Sequence, residues 1–287
     1  MTGTAAVITG ASRGIGLALT RARLSRSRQE LHLGHEGSRL EKLFAVCRNP
    51  SSELLGLAAS TPRVQIVQGS LTSATGPADL ATAIRQGCAA DGLMLSELYN
   101  IAGSACAPFF CHMDCLYVSI CLILREPKLG VEPERRLEDM ANLDGMLNTF
   151  AINSFAPIRL IGALAPQFCS HDQMVRVASW SARVGSITDN RLGGWYSYRA
   201  SKAAQNSFTK SAAIELQRRK QRKGGAAVVA VHPGTVDTAL SAPFQRNVKH
   251  EILRPEASAQ MLMDLILHLQ LEDNGKFFAY DGTEIPW

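Results

Sequence analysis

The chain opens on an unbroken apolar run, Ala5-Ala6-Val7-Ile8-Thr9, which predicts a strand buried on both faces. A glycine-rich turn follows, and Ile15 to Arg23 carries helical spacing. Further apolar stretches at Leu43–Cys47, Val64–Val67, Leu95–Ile101, Met174–Ser179, Ala226–Val231 and Phe277–Tyr280 read as strands. Between them, Ala78–Cys88, Leu143–Ala165 (tolerating Pro157), Ser197–Arg219 and Ala257–Leu271 read as helices. Strand and helix alternate throughout, which predicts an α/β fold with a parallel, doubly wound sheet. No internal repeat or linker marks a boundary, so residues 1–287 are expected to form a single domain.

Two stretches resist this pattern. Arg21 to Lys42 is too long and too polar for one helix–strand connection. Ser104 to Arg136 reads as an irregular segment of a length uncommon inside a domain, and it carries Cys106, Cys111, Cys115 and Cys121. Those cysteines match no zinc spacing, and no metal is expected.

Composition narrows the function. Hydrophobic residues make up 46% of the chain, enough for a large core, and the formal charge is only +5. Two basic runs, Arg21 to Arg28 and Arg218 to Lys223, lack interleaved aromatics, so a nucleic-acid partner is not expected. The most membrane-like stretch, Cys115 to Leu124, is roughly half a bilayer span and is flanked by Asp114 and Arg125. With seven cysteines and no apolar leader after Met1, the expected setting is a reducing one, the cytoplasm.

The turn after the first strand reads Thr9-Gly10-Ala11-Ser12-Arg13-Gly14-Ile15-Gly16. A sharp strand-to-helix turn needs glycine, and bare backbone N–H groups at a helix N-terminus suit a pyrophosphate. A Rossmann-type dinucleotide site is therefore expected over these residues. NAD sites usually place an acid after the second strand. Here Arg48 stands in that position, and a guanidinium suits a 2′-phosphate. With Arg13 in the loop itself, the expected cofactor is NADP(H).

Tyr198-Arg199-Ala200-Ser201-Lys202 supplies candidate chemistry. On a helix, positions i and i+4 share a face. An ammonium beside a phenol favours phenolate and lowers the tyrosine pKa from about 10, which suits a general acid or base.

These motifs resemble the classical short-chain dehydrogenases/reductases, and within them the C-factor and Sniffer-type, carbonyl-reductase-like members, particularly those of plants. The segments concerned are Thr9–Gly16, Cys47–Pro50, Asn142–Pro157, Ser181–Lys202, His232–Thr238 and Asp273–Trp287. The resemblance implies an enzyme that moves hydride between NADP(H) and a carbonyl or alcohol. It implies catalytic roles for Tyr198, Lys202, a serine, and Asn153 in a proton relay. It implies cofactor contacts from Gly10, Ser12, Arg13, Gly14, Ile15, Gly16 and Arg48, from Asn100, Ala102 and Gly103 after the fourth strand, from Tyr198 and Lys202 (the latter on the nicotinamide ribose), and from Pro233, Gly234, Val236 and Thr238 after the sixth. The implied partners are a small-molecule substrate and further copies of the chain, with no membrane.

The pattern is departed from in several places. Ile101 and Ser70 replace the family's Asn and Asp, and residues 21–42 and 105–128 read as insertions. In Ser181-Ala182-Arg183-Val184-Gly185-Ser186, Ala182 stands where the family's serine usually does. Ser181, at the strand end, is the expected catalytic serine, with Ser186 the alternative. A dinucleotide-binding regulatory protein without catalysis is the competing expectation, since fold alone does not prove chemistry.

Overall fold

The computed structural model describes residues 3–32, 40–100, 133–168, 173–219, 225–238, 241–248 and 250–287. Ala102, Gly103 and the expected insertion at 105–128 lie outside these residues. Seven strands form one sheet: β1 (Thr4–Thr9), β2 (Leu40–Cys47), β3 (Val64–Gln68), β4 (Met94–Asn100), β5 (Val175–Trp180), β6 (Ala226–His232) and β7 (Phe277–Ala279). Their order is β3-β2-β1-β4-β5-β6-β7, and every neighbouring pair is parallel. This is the doubly wound Rossmann arrangement the alternation predicted.

The helices are α1 (Gly14–His32), α2 (Ser52–Ser60), α3 (Gly76–Ala90), α4 (Leu143–Phe150), α5 (Ala156–Phe168), α6 (Tyr196–Arg218) and α7 (Pro255–His268). Successive β1 side chains enter opposite layers. Ala5 and Val7 pack with Leu80, Ile84, Leu160 and Leu216 of α3, α5 and α6. Ala6 and Ile8 pack with Leu19, Leu54, Leu262 and Ile266 of α1, α2 and α7. Because β1 lies between β2 and β4, the chain reverses its winding there, and in open sheets of this kind ligands bind at the strand C-termini beside such a switch point.

Three elements differ from expectation. Residues 21–32, expected within an insertion, continue α1. Among them Arg23 is buried in an ion pair with Glu97 of β4. The helix expected over Leu143–Ala165 is interrupted by a π turn at Ala151–Phe155, where the Ala156 N–H reaches back to the Ala151 carbonyl. Pro157 explains this break: it has no N–H for the carbonyl of Asn153, four residues earlier. Helix α2 was not anticipated. It is capped by Ser51, whose hydroxyl accepts the Leu54 N–H at 3.2 Å, and it buries only Leu54, too little to leave a periodic trace. No helix among the described residues is long and apolar enough to cross a membrane.

Candidate active site

The loop from Gly10 to Arg13 turns β1 into α1, with Gly10 and Gly14 in left-handed backbone at φ 67° and 52°. A Cβ on Gly16 would lie 2.1 Å from the Gly10 carbonyl oxygen, so only glycine lets the first helical turn close against the loop. The Ser12 hydroxyl donates to the Asn49 carbonyl and accepts the Ser51 N–H, both at 2.8 Å. In return the Ser51 hydroxyl donates to the Ser12 carbonyl at 2.6 Å. The glycine loop is thereby stitched to the turn after β2 that carries Arg48. Arg13 is exposed, Arg48 half-buried and Ile15 buried in the core. The first turn of α1 has no acidic side chain, so its N-terminus keeps its positive field.

At the end of β4, buried Asn100 ties three elements together. Its side-chain oxygen accepts the Thr9 hydroxyl at 3.3 Å, and its amide donates to the Pro157 carbonyl at 3.2 Å. Across the sheet, Gly234 takes φ 80°, and a Cβ there would press on Leu253 and Tyr280 at 2.9 Å. The Pro233 carbonyl accepts the Ser258 hydroxyl at 2.8 Å, and buried Val236 pairs with Leu253. The loop then swings toward the glycine turn: the Thr238 methyl lies 3.8 Å from where a Gly14 Cβ would sit. The loops after β1 and β6 and the end of β4 thus lie at one end of the sheet. At that same end, burial lowers the His232 pKa to about 4, helped by the charges of Arg183 and His250, so its imidazole is neutral.

Helix α6 carries Tyr198 and Lys202 into this end. Both are buried, with 4% and 1% of their surface exposed, whereas a chance surface pair at this spacing would face water. The Lys202 ammonium donates to the Trp180 carbonyl and the Gln205 side-chain oxygen, each at 2.8 Å. Asn153, fully buried in the π turn, donates to the Ser201 hydroxyl at 3.0 Å, and Ser201 in turn donates to the Tyr198 carbonyl at 2.8 Å. Tyr198 packs with Ala182, Val184 and Trp195, and the Trp195 ring meets it edge-on at 6.5 Å.

The two candidate serines both bond to other groups of the chain. The Ser181 hydroxyl is completely buried and donates to the Asn206 side-chain oxygen at 2.6 Å. Its neighbour Ala182 is extended, at φ −144° and ψ 146°, and presents its methyl to the tyrosine cluster. Ser186 is a turn residue: its hydroxyl accepts the Asp189 N–H at 3.0 Å and donates to the Trp287 carbonyl at 3.4 Å. One residue that the sequence patterns do not mark also reaches this region. Glu134 contacts the first turn of α6 from 63 positions upstream, a separation no local pattern displays.

Fold and site together define a dinucleotide-type α/β protein with a buried Tyr-x-x-x-Lys pair at the strand C-termini. The short chain dehydrogenase family model matches residues 129–249. The chain is 36% identical to the C-signal protein of Myxococcus xanthus over 142 residues, covering 50% of this chain and 78% of that one. Among solved structures, it is similar to the carbonyl reductase Sniffer of D. melanogaster, at a TM-score of 0.73 and 25% identity with both chains fully covered. A carbonyl reductase of Pseudomonas aeruginosa, solved in complex with NADP, aligns at a TM-score of 0.68 and 25% identity, covering 100% of each chain. The chain belongs to the short-chain dehydrogenase family, in its Sniffer and C-factor-like branch.

Proposed function

We propose that the chain is an NADP(H)-dependent oxidoreductase that reduces a small-molecule carbonyl, or oxidises the corresponding alcohol. The observation that carries this reading is the burial of Tyr198 and Lys202 one turn apart, beside Asn153, at the end of the sheet where the glycine loop lies. A bound nicotinamide supplies the hydride. The chain's residues fit such a group. Gly16 leaves the helix N-terminus bare, and Arg48 and Arg13 flank the loop with positive charge suited to a 2′-phosphate. The Pseudomonas relative crystallised with NADP supports the same choice.

In this reading Tyr198 gives its phenolic proton to the carbonyl oxygen as charge develops there. Lys202 holds a positive charge at the same helix face, and it is anchored by the Trp180 carbonyl and Gln205. Asn153 and Ser201 fix the backbone at Tyr198. In this reading Ser181 takes no direct part in the chemistry. Its hydroxyl is already given to Asn206, and the side chain beside Tyr198 is the methyl of Ala182. We therefore assign polarisation of the carbonyl to Tyr198 alone.

The test is NADPH oxidation screened against aldehydes, ketones and quinones, with Tyr198→Phe in parallel. The variant is expected to lose at least about 100-fold in kcat with NADPH affinity nearly unchanged. A Tyr198→Phe protein that turns over at the parent rate overturns the mechanism. Tight NADPH binding without turnover on any carbonyl would favour a regulatory dinucleotide-binding protein.

A further inference from the structure

Helix α6 begins without a cap of its own. The residue before its first turn is Trp195, whose side chain makes no capping bond, and the first turn has no acidic residue. Yet the first backbone N–H groups of any helix need acceptors. Glu134 supplies them from outside. One carboxylate oxygen accepts the Ser197 N–H at 3.2 Å, the other accepts the Ser197 hydroxyl, and the Glu134 backbone carbonyl accepts the Trp195 N–H at 2.5 Å. A carboxylate here also complements the positive end of the helix. Glu134 is 9% exposed, so these bonds are sheltered from water.

The clamp acts on an unusual piece of backbone. Gly193, Gly194 and Trp195 are all left-handed, at φ 62°, 65° and 50°, and Trp195 is the only non-glycine residue with positive φ among those described. A bulky residue holds that conformation only where its surroundings fix it. The Glu134 carbonyl is one such constraint, and the strained backbone sets the Trp195 ring edge-on to Tyr198. The adjoining backbone steadies Glu134 in turn. The Asp139 carboxylate accepts the N–H groups of Arg135 and Arg136 at 2.8 and 3.0 Å. An unbroken series of contacts therefore runs from Asp139 through Glu134 to Ser197 and Trp195, the residues on either side of Tyr196 and next to Tyr198.

We infer that Glu134 is a positioning residue for Tyr198: it fixes the start of α6 and the Trp195 wall, and so sets where the phenol meets a substrate. This rests on the reading of Tyr198 as the proton donor. The glycine loop and Arg48 lie on other elements, and Lys202 sits a turn further into α6 with its own anchors at Trp180 and Gln205, so cofactor affinity should be largely spared.

The experiment measures kcat and KM for the best carbonyl substrate, NADPH affinity and melting temperature on the full chain. The variants are Glu134→Ala, Glu134→Gln, Ser197→Ala and Tyr198→Phe. Glu134→Ala is expected to lower kcat by about tenfold or more while the NADPH Kd stays within about twofold. Glu134→Gln keeps an oxygen for the Ser197 N–H and should return kcat to within about threefold of the parent. If Glu134→Ala does not fold, Ser197→Ala, which removes only the hydroxyl arm, should show the same split between kcat and Kd. Parent kcat in Glu134→Ala with an inactive Tyr198→Phe overturns the inference and leaves the proton donor standing. Loss of NADPH affinity in step with kcat makes Glu134 a merely structural residue and also overturns it. Full activity of Tyr198→Phe removes the proton-donor reading and the inference with it.

Discussion

Ser181 and Asn206 are joined by a 2.6 Å hydrogen bond in which the serine hydroxyl donates to the amide oxygen, completely out of water. Adjacent side chains on extended backbone point to opposite faces, so this bond and the approach of Ala182 to Tyr198 are two sides of one arrangement. Ser181→Ala should therefore act on stability. It leaves a buried acceptor unsatisfied, for a loss of about 1–3 kcal/mol in denaturant unfolding, with kcat within about threefold of the parent. Ala182→Ser places a hydroxyl beside the phenol and is expected to raise kcat about tenfold. A collapse of kcat in Ser181→Ala at unchanged melting temperature would restore Ser181 as the polarising group.

The sequence disclosed what is local. Tyr198 and Lys202 stand one helical turn apart, and Gly10, Gly14 and Gly16 fall within seven positions, so spacing alone exposed both. Strands β1 and β6 were legible because they are buried on both faces and run apolar almost without interruption. What stayed hidden depends on partners far along the chain. The direction of the Ser181 hydroxyl is set by Asn206, 25 positions away, and the cap of α6 by Glu134, 63 positions away. Within α1 the burial of Arg23 depends on Glu97, 74 positions away.

The closure of the glycine turn can be tested by adding one methyl. In Gly16→Ala the new Cβ would fall 2.1 Å from the Gly10 oxygen and 2.7 Å from its carbonyl carbon. Both atoms are backbone, so the loop must open. Titration should show NADPH binding weakened by about tenfold or more, which is about 1.4 kcal/mol. The buried Tyr198 cluster lies on α6 and should keep its fluorescence. Parent affinity in this variant would mean that the loop does not hold the pyrophosphate.

Arg48 follows β2 directly, and Gln68 of β3 donates to its carbonyl at 3.1 Å, which steadies the backbone from which the guanidinium extends. Removing a charge-assisted phosphate contact should cost about 1.5–3 kcal/mol. Arg48→Asp also adds a carboxylate able to bond a ribose hydroxyl and repel a phosphate. Isothermal titration is expected to show NADPH preferred over NADH in the parent, and the preference narrowed or reversed in the variant. Equal affinities in the parent would sink the assignment of Arg48.

Acid stability should turn on a buried ion pair. Arg23 of α1 meets Glu97 of β4 through two 2.8 Å hydrogen bonds, with both side chains at least 94% covered. The Tyr99 hydroxyl donates to the same carboxylate at 2.8 Å and lies 3.3 Å from the sulfur of Met263 on α7. The network thus joins α1 and α7 to the strand that ends in Asn100. Burial pushes the Glu97 carboxyl up, but the Arg23 guanidinium and its hydrogen bonds outweigh this and hold it below its ordinary value of 4.5. A carboxyl with a lower pKa folded than unfolded contributes stability that is present above about pH 4.5 and lost as the pH falls through the folded value. Denaturant unfolding between neutral pH and about pH 3 should therefore show stability dropping on the acid side. Arg23→Met leaves a buried carboxylate without its partner and should cost about 3–5 kcal/mol at neutral pH. Replacing both partners, Arg23→Met with Glu97→Leu, should recover most of that loss and flatten the acid limb. A double variant as acid-sensitive as the parent would show that other carboxylates govern the pH dependence.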